Sequence, residues 1–180
     1  SQYNVQHMDM NGNSELAVPQ NTLGAELRQL ENKQWEQITL PHTPFVEPLT
    51  VLHQWQGICY YKKKITITPE EAKKHIWIEF EGAMHLADVW INGKHVMQHA
   101  GGYTPFVVDA TGLLKTGKEN ELLVRLDNRN NSLIPPGKPL ETLDFCYYGG
   151  IYRNVHLIAK ADVHITHPIL DGHPAGAGIF

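Results

Sequence analysis

The dipeptide Asn92-Gly93 constrains this chain more than any other feature of its sequence. Both residues tolerate positive φ, which the two central positions of a type I′ turn require, and the twist of that turn matches the twist of paired strands. On its N-terminal side Ala87, Val89 and Ile91 alternate with Asp88 and Trp90. Strict alternation places one set of side chains on each face of a strand. The sequence therefore predicts a β-hairpin over residues 83–98.

The same period recurs along most of the chain. In residues 58–68, Cys59, Tyr61, Ile65 and Ile67 share a face that only Lys63 interrupts. Residues 75–80 put Ile76, Ile78 and Phe80 on one side. A short strand fits residues 106–108. Residues 121–127 turn Leu122, Val124 and Leu126 inward, and in residues 155–160 Val155, Leu157 and Ala159 share a face. A last strand-like stretch covers residues 163–166. Helical spacing occurs only where Leu23, Leu27 and Leu30 follow the candidate cap Thr22, with Gly24 and Asn32 counting against it. Between the strands lie Gly101-Gly102, the polar residues 112–120, and a long connection over residues 128–148 that contains Pro135-Pro136. Long aperiodic connections tend to carry function. Many short strands separated by turn formers indicate an all-β domain, a sandwich or jelly roll.

A chain of 180 residues is long enough for one full domain, which at that size buries roughly 70% of its unfolded surface without a disulfide or metal. Residues 1–20 read as an extended N-terminal arm and residues 21–161 as the domain. Residues 162–180, with Pro168, Gly172, Pro174, Gly176 and Gly178, read as the stub of something that follows. The net charge is −4 with histidine neutral, so there is no cationic field to attract nucleic acid. The run Lys62-Lys63-Lys64 reads as edge-strand lysines that discourage aggregation. No apolar run approaches the ~20 residues that span a bilayer, and no membrane partner is expected. Cys59 and Cys146 form neither a CxxC pair nor a zinc knuckle and read as free thiols. The chain opens on Ser1-Gln2 without an apolar targeting segment, which leaves both periplasm and cytoplasm open.

Several residues suggest chemistry and are better explained otherwise. His95 and His99 would share a helix face, but behind the Asn92-Gly93 turn they lie on a strand. Four residues of strand span about 13 Å, beyond what two ligands each ~2.1 Å from a zinc can bridge. His164 and His167 would point to opposite faces of a strand. No metal ligands and no cofactor follow from these spacings. Glu79 and Glu81 share one strand face, whereas glycosidase acids flank a bond from opposite sides, so they read as a locally paired sheet face. There is no GxSxG elbow, P-loop or GxGxxG motif, and Asn130-Asn131-Ser132 is a formal glycosylation sequon.

Three stretches carry a more specific signal. The first is Trp35-Glu36-Gln37-Ile38-Thr39-Leu40-Pro41-His42. The second runs from Phe80-Glu81-Gly82-Ala83 through Val89-Trp90-Ile91-Asn92-Gly93 to Gly101-Gly102-Tyr103-Thr104-Pro105-Phe106. The third is Asp144-Phe145-Cys146-Tyr147-Tyr148-Gly149-Gly150-Ile151-Tyr152-Arg153. In this order and spacing they resemble the sugar-binding N-terminal domain of the β-galactosidase-like glycoside hydrolase family 2. Gly101-Gly102 suits a tight turn and Gly149-Gly150 a close backbone approach. Trp90 and Tyr103 read as packing residues rather than sugar platforms.

The resemblance implies a jelly-roll, galactose-binding-domain-like β-sandwich without cofactor. It also implies a parent retaining exo-glycosidase in which an immunoglobulin-like domain and a barrel follow, the barrel holding both catalytic glutamates. No catalytic residue is expected in these 180 residues. The expected ligand is a terminal β-galactoside in the assembled enzyme, and a β-glucuronidase or β-mannosidase parent, an autonomous carbohydrate-binding module and a homo-oligomeric parent all remain open. The family's aspartate that reaches the sugar falls on Asp144. A second family contact, an asparagine, falls on Gln54, a departure from the pattern. Arg153 would pair across a domain interface or steady its own loop.

Overall fold

The computed structural model describes the strand at residues 2–8 by its backbone, and residues 35–45 and 54–170 in full. Nine strands form among the described residues: β1 (Gln2–Met8), β2 (Glu36–Thr39), β3 (Ile58–Ile65), β4 (His75–Phe80), β5 (Leu86–Ile91), β6 (Lys94–Ala100), β7 (Phe106–Asp109), β8 (Asn120–Asp127) and β9 (Val155–Lys160). They build two antiparallel sheets, one in the order β2-β1-β3-β8-β5-β6 and one in the order β7-β4-β9. The expected arm begins as β1, extended and paired on both sides. The expected helix at residues 22–30 lies outside the described residues.

The period-two sets become the interior of a β-sandwich. Cys59 and Tyr61 of β3, Ile76, Ile78 and Phe80 of β4, Ala87, Val89 and Ile91 of β5, and Leu122, Val124 and Leu126 of β8 meet in one buried cluster between the sheets. Burying a side chain of this size contributes about 1.5–3 kcal/mol. Phe80 stacks on Phe106 at 4.6 Å between ring centroids, and His99 of β6 stacks on Phe106 at 4.5 Å, which ties the two sheets together. Asn92 and Gly93 have φ of 51° and 79° and close the expected hairpin between β5 and β6.

A register shift opposite Val89 and Trp90 has a local consequence. It inserts Val96 as an extra residue on β6, so His95 turns outward to Asp88 at 2.9 Å while His99 turns inward to Phe106. The two histidines lie on opposite faces of their strand.

Four expectations are corrected. Lys62, Lys63 and Lys64 do not sit on an edge, because β3 lies between β1 and β8. Lys62 lies over the Trp35 ring and approaches Glu121, and Lys64 pairs with Glu119 at 2.6 Å. Residues 163–166 form no strand. They cross the outer face of the three-stranded sheet instead, where His164 and His167 both meet the Trp77 ring edge-on, at 5.1 and 5.6 Å, rather than facing apart. Tyr103 is not a packing residue but is about half exposed (49%), whereas Trp90 is buried.

Leu157 shares the inward face with Val155 and Ala159 by register, yet remains exposed because β9 is an edge strand. Glu79 and Glu81 are locally paired, with His167 at 3.6 Å and His156 at 3.0 Å.

Candidate functional site

One end of the sandwich carries the connection from β8 to β9, whose only regular structure is a 3-10 turn at Leu140–Thr142. A small cluster forms beneath it: Met84, Leu140 and Tyr147 are buried together, with Leu143 and Tyr152 packed against them. These residues convert the late part of the connection into a fixed platform. Its tip, Asp144 and Phe145, stays exposed.

Polar contacts converge on Tyr147. Its backbone N–H donates to Gln54 Oε1 at 2.5 Å, and its hydroxyl meets Nδ1 of His85. Desolvation pushes the Tyr147 phenol up and lowers the His85 imidazole to about 4, so both groups are neutral near pH 7. Tyr152 donates its hydroxyl to the Gly102 carbonyl, which fastens the far side of the loop to the β6–β7 connection. Arg153 lies over the ring of Tyr152.

The glycines behind the tip fit a backbone held at close quarters. Gly150 has φ of 98°, and a Cβ there would lie 2.6 Å from the His42 carbonyl oxygen. At Gly149 a Cβ would lie 2.8 Å from Nδ2 of Asn128. The Gly150 carbonyl accepts from the Met84 N–H at 2.9 Å, and the Ile151 carbonyl from the His42 N–H at 2.8 Å. Residues 147–151 are thus joined to both the β4–β5 connection and the approach to β3.

A second polar layer supports Gln54. Asn128 accepts from the Gly57 N–H at 2.8 Å through Oδ1 and donates to the Trp55 carbonyl at 3.0 Å through Nδ2. Gln56 donates to Oδ1 of Asn130 at 2.8 Å, and the same oxygen accepts from the Leu140 N–H at 3.0 Å. Asn130, the first residue of the sequon, is occupied in shaping the connection.

Asp144 makes no hydrogen bond or ion pair among the described residues and lies exposed three positions before the pinned Tyr147. Gln54 is 7% exposed, with Nε2 buried and without a partner among the described residues. The sequence brought both residues forward; it did not single out His85, Asn128 or Gln56. Their signal was long-range, since His85 and Tyr147 are 62 positions apart, Asn128 and Gly57 71, and Gln56 and Asn130 74.

The crevice lined by His85, Tyr147, Gln56, Asn131, Leu140 and Leu143 has a volume of about 10 Å³. That is room for about one water and not for a sugar. No group of three or more metal-ligating side chains occurs among the described residues, and no helix among them is long and apolar enough to cross a membrane. Cys59 is buried, and desolvation pushes its thiol far up, which leaves it unreactive. Cys146 is partly exposed.

Residues 6–161 match the family model for the sugar binding domain of the glycosyl hydrolases family 2. The chain is 34% identical over 153 residues to a beta-galactosidase of Thermoanaerobacter pseudethanolicus, covering 83% of this chain and 20% of that protein. It is 38% identical over 135 residues to a beta-glucuronidase of Bacteroides fragilis, covering 72% of this chain and 18% of that protein. Among solved structures, a beta-glucuronidase of an uncultured Clostridium sp. superimposes with a TM-score of 0.68 at 22% identity. The match covers 90% of this chain and 28% of that one. The chain spans about a fifth of the length of the curated relatives it matches.

Proposed function

This chain belongs to the sugar binding domain family of the family 2 glycosyl hydrolases, and we propose that it completes the sugar pocket of a parent glycosidase whose bond-breaking groups lie in another domain. The parent in this reading is a retaining exo-glycosidase acting on a terminal β-galactoside. The observation that carries the reading is the contrast within one loop: Tyr147 is held from several directions while Asp144, three residues earlier, is exposed and without a partner among the described residues. A carboxylate presented in that way can accept from two sugar hydroxyls at once, and such charge-assisted bonds are roughly twice as strong as neutral ones.

Gln54 belongs to the same reading. Its Oε1 is taken by the Tyr147 N–H, so Nε2, buried in this domain by itself, serves a sugar hydroxyl only where the assembled pocket uncovers it. The exposed tip next to Asp144 faces whatever domain adjoins it, and an immunoglobulin-like domain and a barrel are the proposed neighbours. The absence of room for a hexose beneath the loop supports a pocket completed by a neighbouring domain over one enclosed by this domain alone.

Replacing Asp144 by Asn in the parent enzyme tests the assignment. Loss of a charged hydrogen-bonding partner costs about 1.5–3 kcal/mol, so kcat/KM should fall by about ten- to hundredfold with the fold intact. Unchanged kcat/KM in a normally folded variant would overturn it. The 38% identity to a beta-glucuronidase supports a second reading, a parent that takes a glucuronide. Parallel assays with aryl galactoside and aryl glucuronide decide between the two.

A further inference from the structure

We propose that the buried His85–Tyr147 pair is the positioning device of the candidate site, setting where Asp144 stands without touching the sugar; this rests on the assignment of Asp144 made above. The pair is built across two independent parts of the fold. His85 precedes β5, 2% exposed, and its N–H donates to the carbonyl of Asp127, the last residue of β8. Its backbone is therefore tied to the central strands of the larger sheet. Tyr147 is 4% exposed and belongs to the connection that carries Asp144. The bond between Nδ1 of His85 and the Tyr147 hydroxyl is the side-chain link from the start of β5 to the loop, beside the one from the Tyr61 hydroxyl of β3 to the Ile151 N–H.

Burial makes this link decisive. Both groups are neutral, so no exchange of charge with solvent loosens it, and a hydrogen bond between buried groups leaves an unsatisfied polar atom if either partner is removed. The Gln54 bond fixes the Tyr147 backbone, the packing of Met84 and Leu140 fixes its ring plane, and the bonds from Met84 N–H to Gly150 and from His42 N–H to Ile151 hold the chain after it. The hydroxyl bond adds the side-chain anchor on the His85 side. Asp144 lies three residues away, where a small rotation at Tyr147 becomes a displacement of its carboxylate. A misplacement of about 1 Å from a change remote from the chemistry can cost on the order of a hundredfold in rate.

A double-mutant cycle in the parent enzyme tests the proposal, with Tyr147→Phe, Asp144→Asn and the two together. Tyr147→Phe removes only the hydroxyl and keeps the ring and the backbone bond to Gln54. It should lower kcat/KM by about tenfold through a raised KM and a weaker competitive sugar inhibitor. In the Asp144→Asn background the same change should have no further effect. A loss in kcat alone that matches a reduced folded fraction by circular dichroism marks a loss of folded enzyme and overturns positioning, as does a full Tyr147→Phe effect in both backgrounds or none in either. An inert Asp144→Asn overturns the assignment of Asp144 itself, and positioning with it, whatever Tyr147→Phe does. Where Tyr147→Phe does not fold, His85→Leu removes the same bond from the other side and reads the same cycle. His85→Gln, which can restore a bond to the hydroxyl, should recover most of the loss that His85→Leu causes, and failure to do so counts against the pair.

Discussion

The outer face of the six-stranded sheet and the loop over residues 144–150 both depend on buried polar groups, but they hold them by different means. On the sheet, Asp88 and Arg125 are directly opposed in the β5–β8 register, so backbone pairing already brings them together. Arg125 approaches Asp88 Oδ2 at 3.7 Å and Asp127 Oδ2 at 3.4 Å. Arg129 grips both oxygens of Asp127, at 3.0 and 2.7 Å, and His95 and Gln98 both donate to Asp88 Oδ1 at 2.9 Å. Each carboxylate has several partners. In the loop, by contrast, each buried side-chain oxygen has one polar partner, the Tyr147 hydroxyl in His85 and Gln54 Oε1 in the Tyr147 N–H, with a backbone tie at Gly150. Redundant contacts make a frame, and single contacts make a position that one substitution can alter. The frame should therefore register in stability, and the loop in activity.

The largest expected effect tests the frame. Arg125 is 1% exposed, and Arg125→Met leaves the fully buried Asp88 to His95 and Gln98 while Asp127 keeps Arg129. Breaking a buried ion pair by removing one partner costs about 3–5 kcal/mol. Urea unfolding of the domain should show a loss of that size. A loss below about 1 kcal/mol would mean that the remaining partners compensate and that the frame is more redundant still.

Next in size is a pH effect on the loop's own support. The His85 imidazole is lowered to about 4 by desolvation, against about 6.5 in an unfolded chain. A lowered value in the folded state means that the unfolded chain binds the proton first as the pH falls. The stabilisation is therefore complete above about 6.5 and is lost as the pH drops toward 4. The span of about 2.5 units corresponds to roughly 3 kcal/mol. Other histidines pair with carboxylates, so the useful quantity is a difference. Unfolding free energy should fall less between pH 7 and pH 5 in His85→Gln than in the unaltered domain. Equal slopes would remove His85 from the account.

What could be read from the sequence divides along the same line. The hairpin at Asn92-Gly93 and the inward sets of β3, β4, β5 and β8 follow from local turn chemistry and from a period of two. The charged frame does not. Arg125 and Asp127 occupy the outward positions of β8, where alternation leads one to expect solvent, and only the pairing of β8 with β5 shows that they meet Asp88. The lysines of β3 were misread for the same reason, since nothing local tells an edge strand from a central one. His164 and His167 follow a strand-like pattern that gave way to packing on Trp77. Asp144 could be placed only through its resemblance to a family motif. The residues that hold its loop, His85 and Gln54, come from distant parts of the chain and carry no local pattern.

The smallest expected effect completes the contrast between frame and loop. Gly93 has φ of 79°, and a Cβ there would meet nothing within 4 Å, so Gly93→Ala introduces backbone strain and no clash. The cost of an alanine in the left-handed region is about 1–2 kcal/mol. Thermal unfolding should register that loss while kcat/KM of the parent stays unchanged, because the hairpin tip lies at the far end of β5 from His85. Tyr147→Phe should change kcat/KM by more than Gly93→Ala does. If Gly93→Ala impaired activity as strongly, strain in the frame would reach the loop, and the division between a redundant frame and a singly held loop would fail.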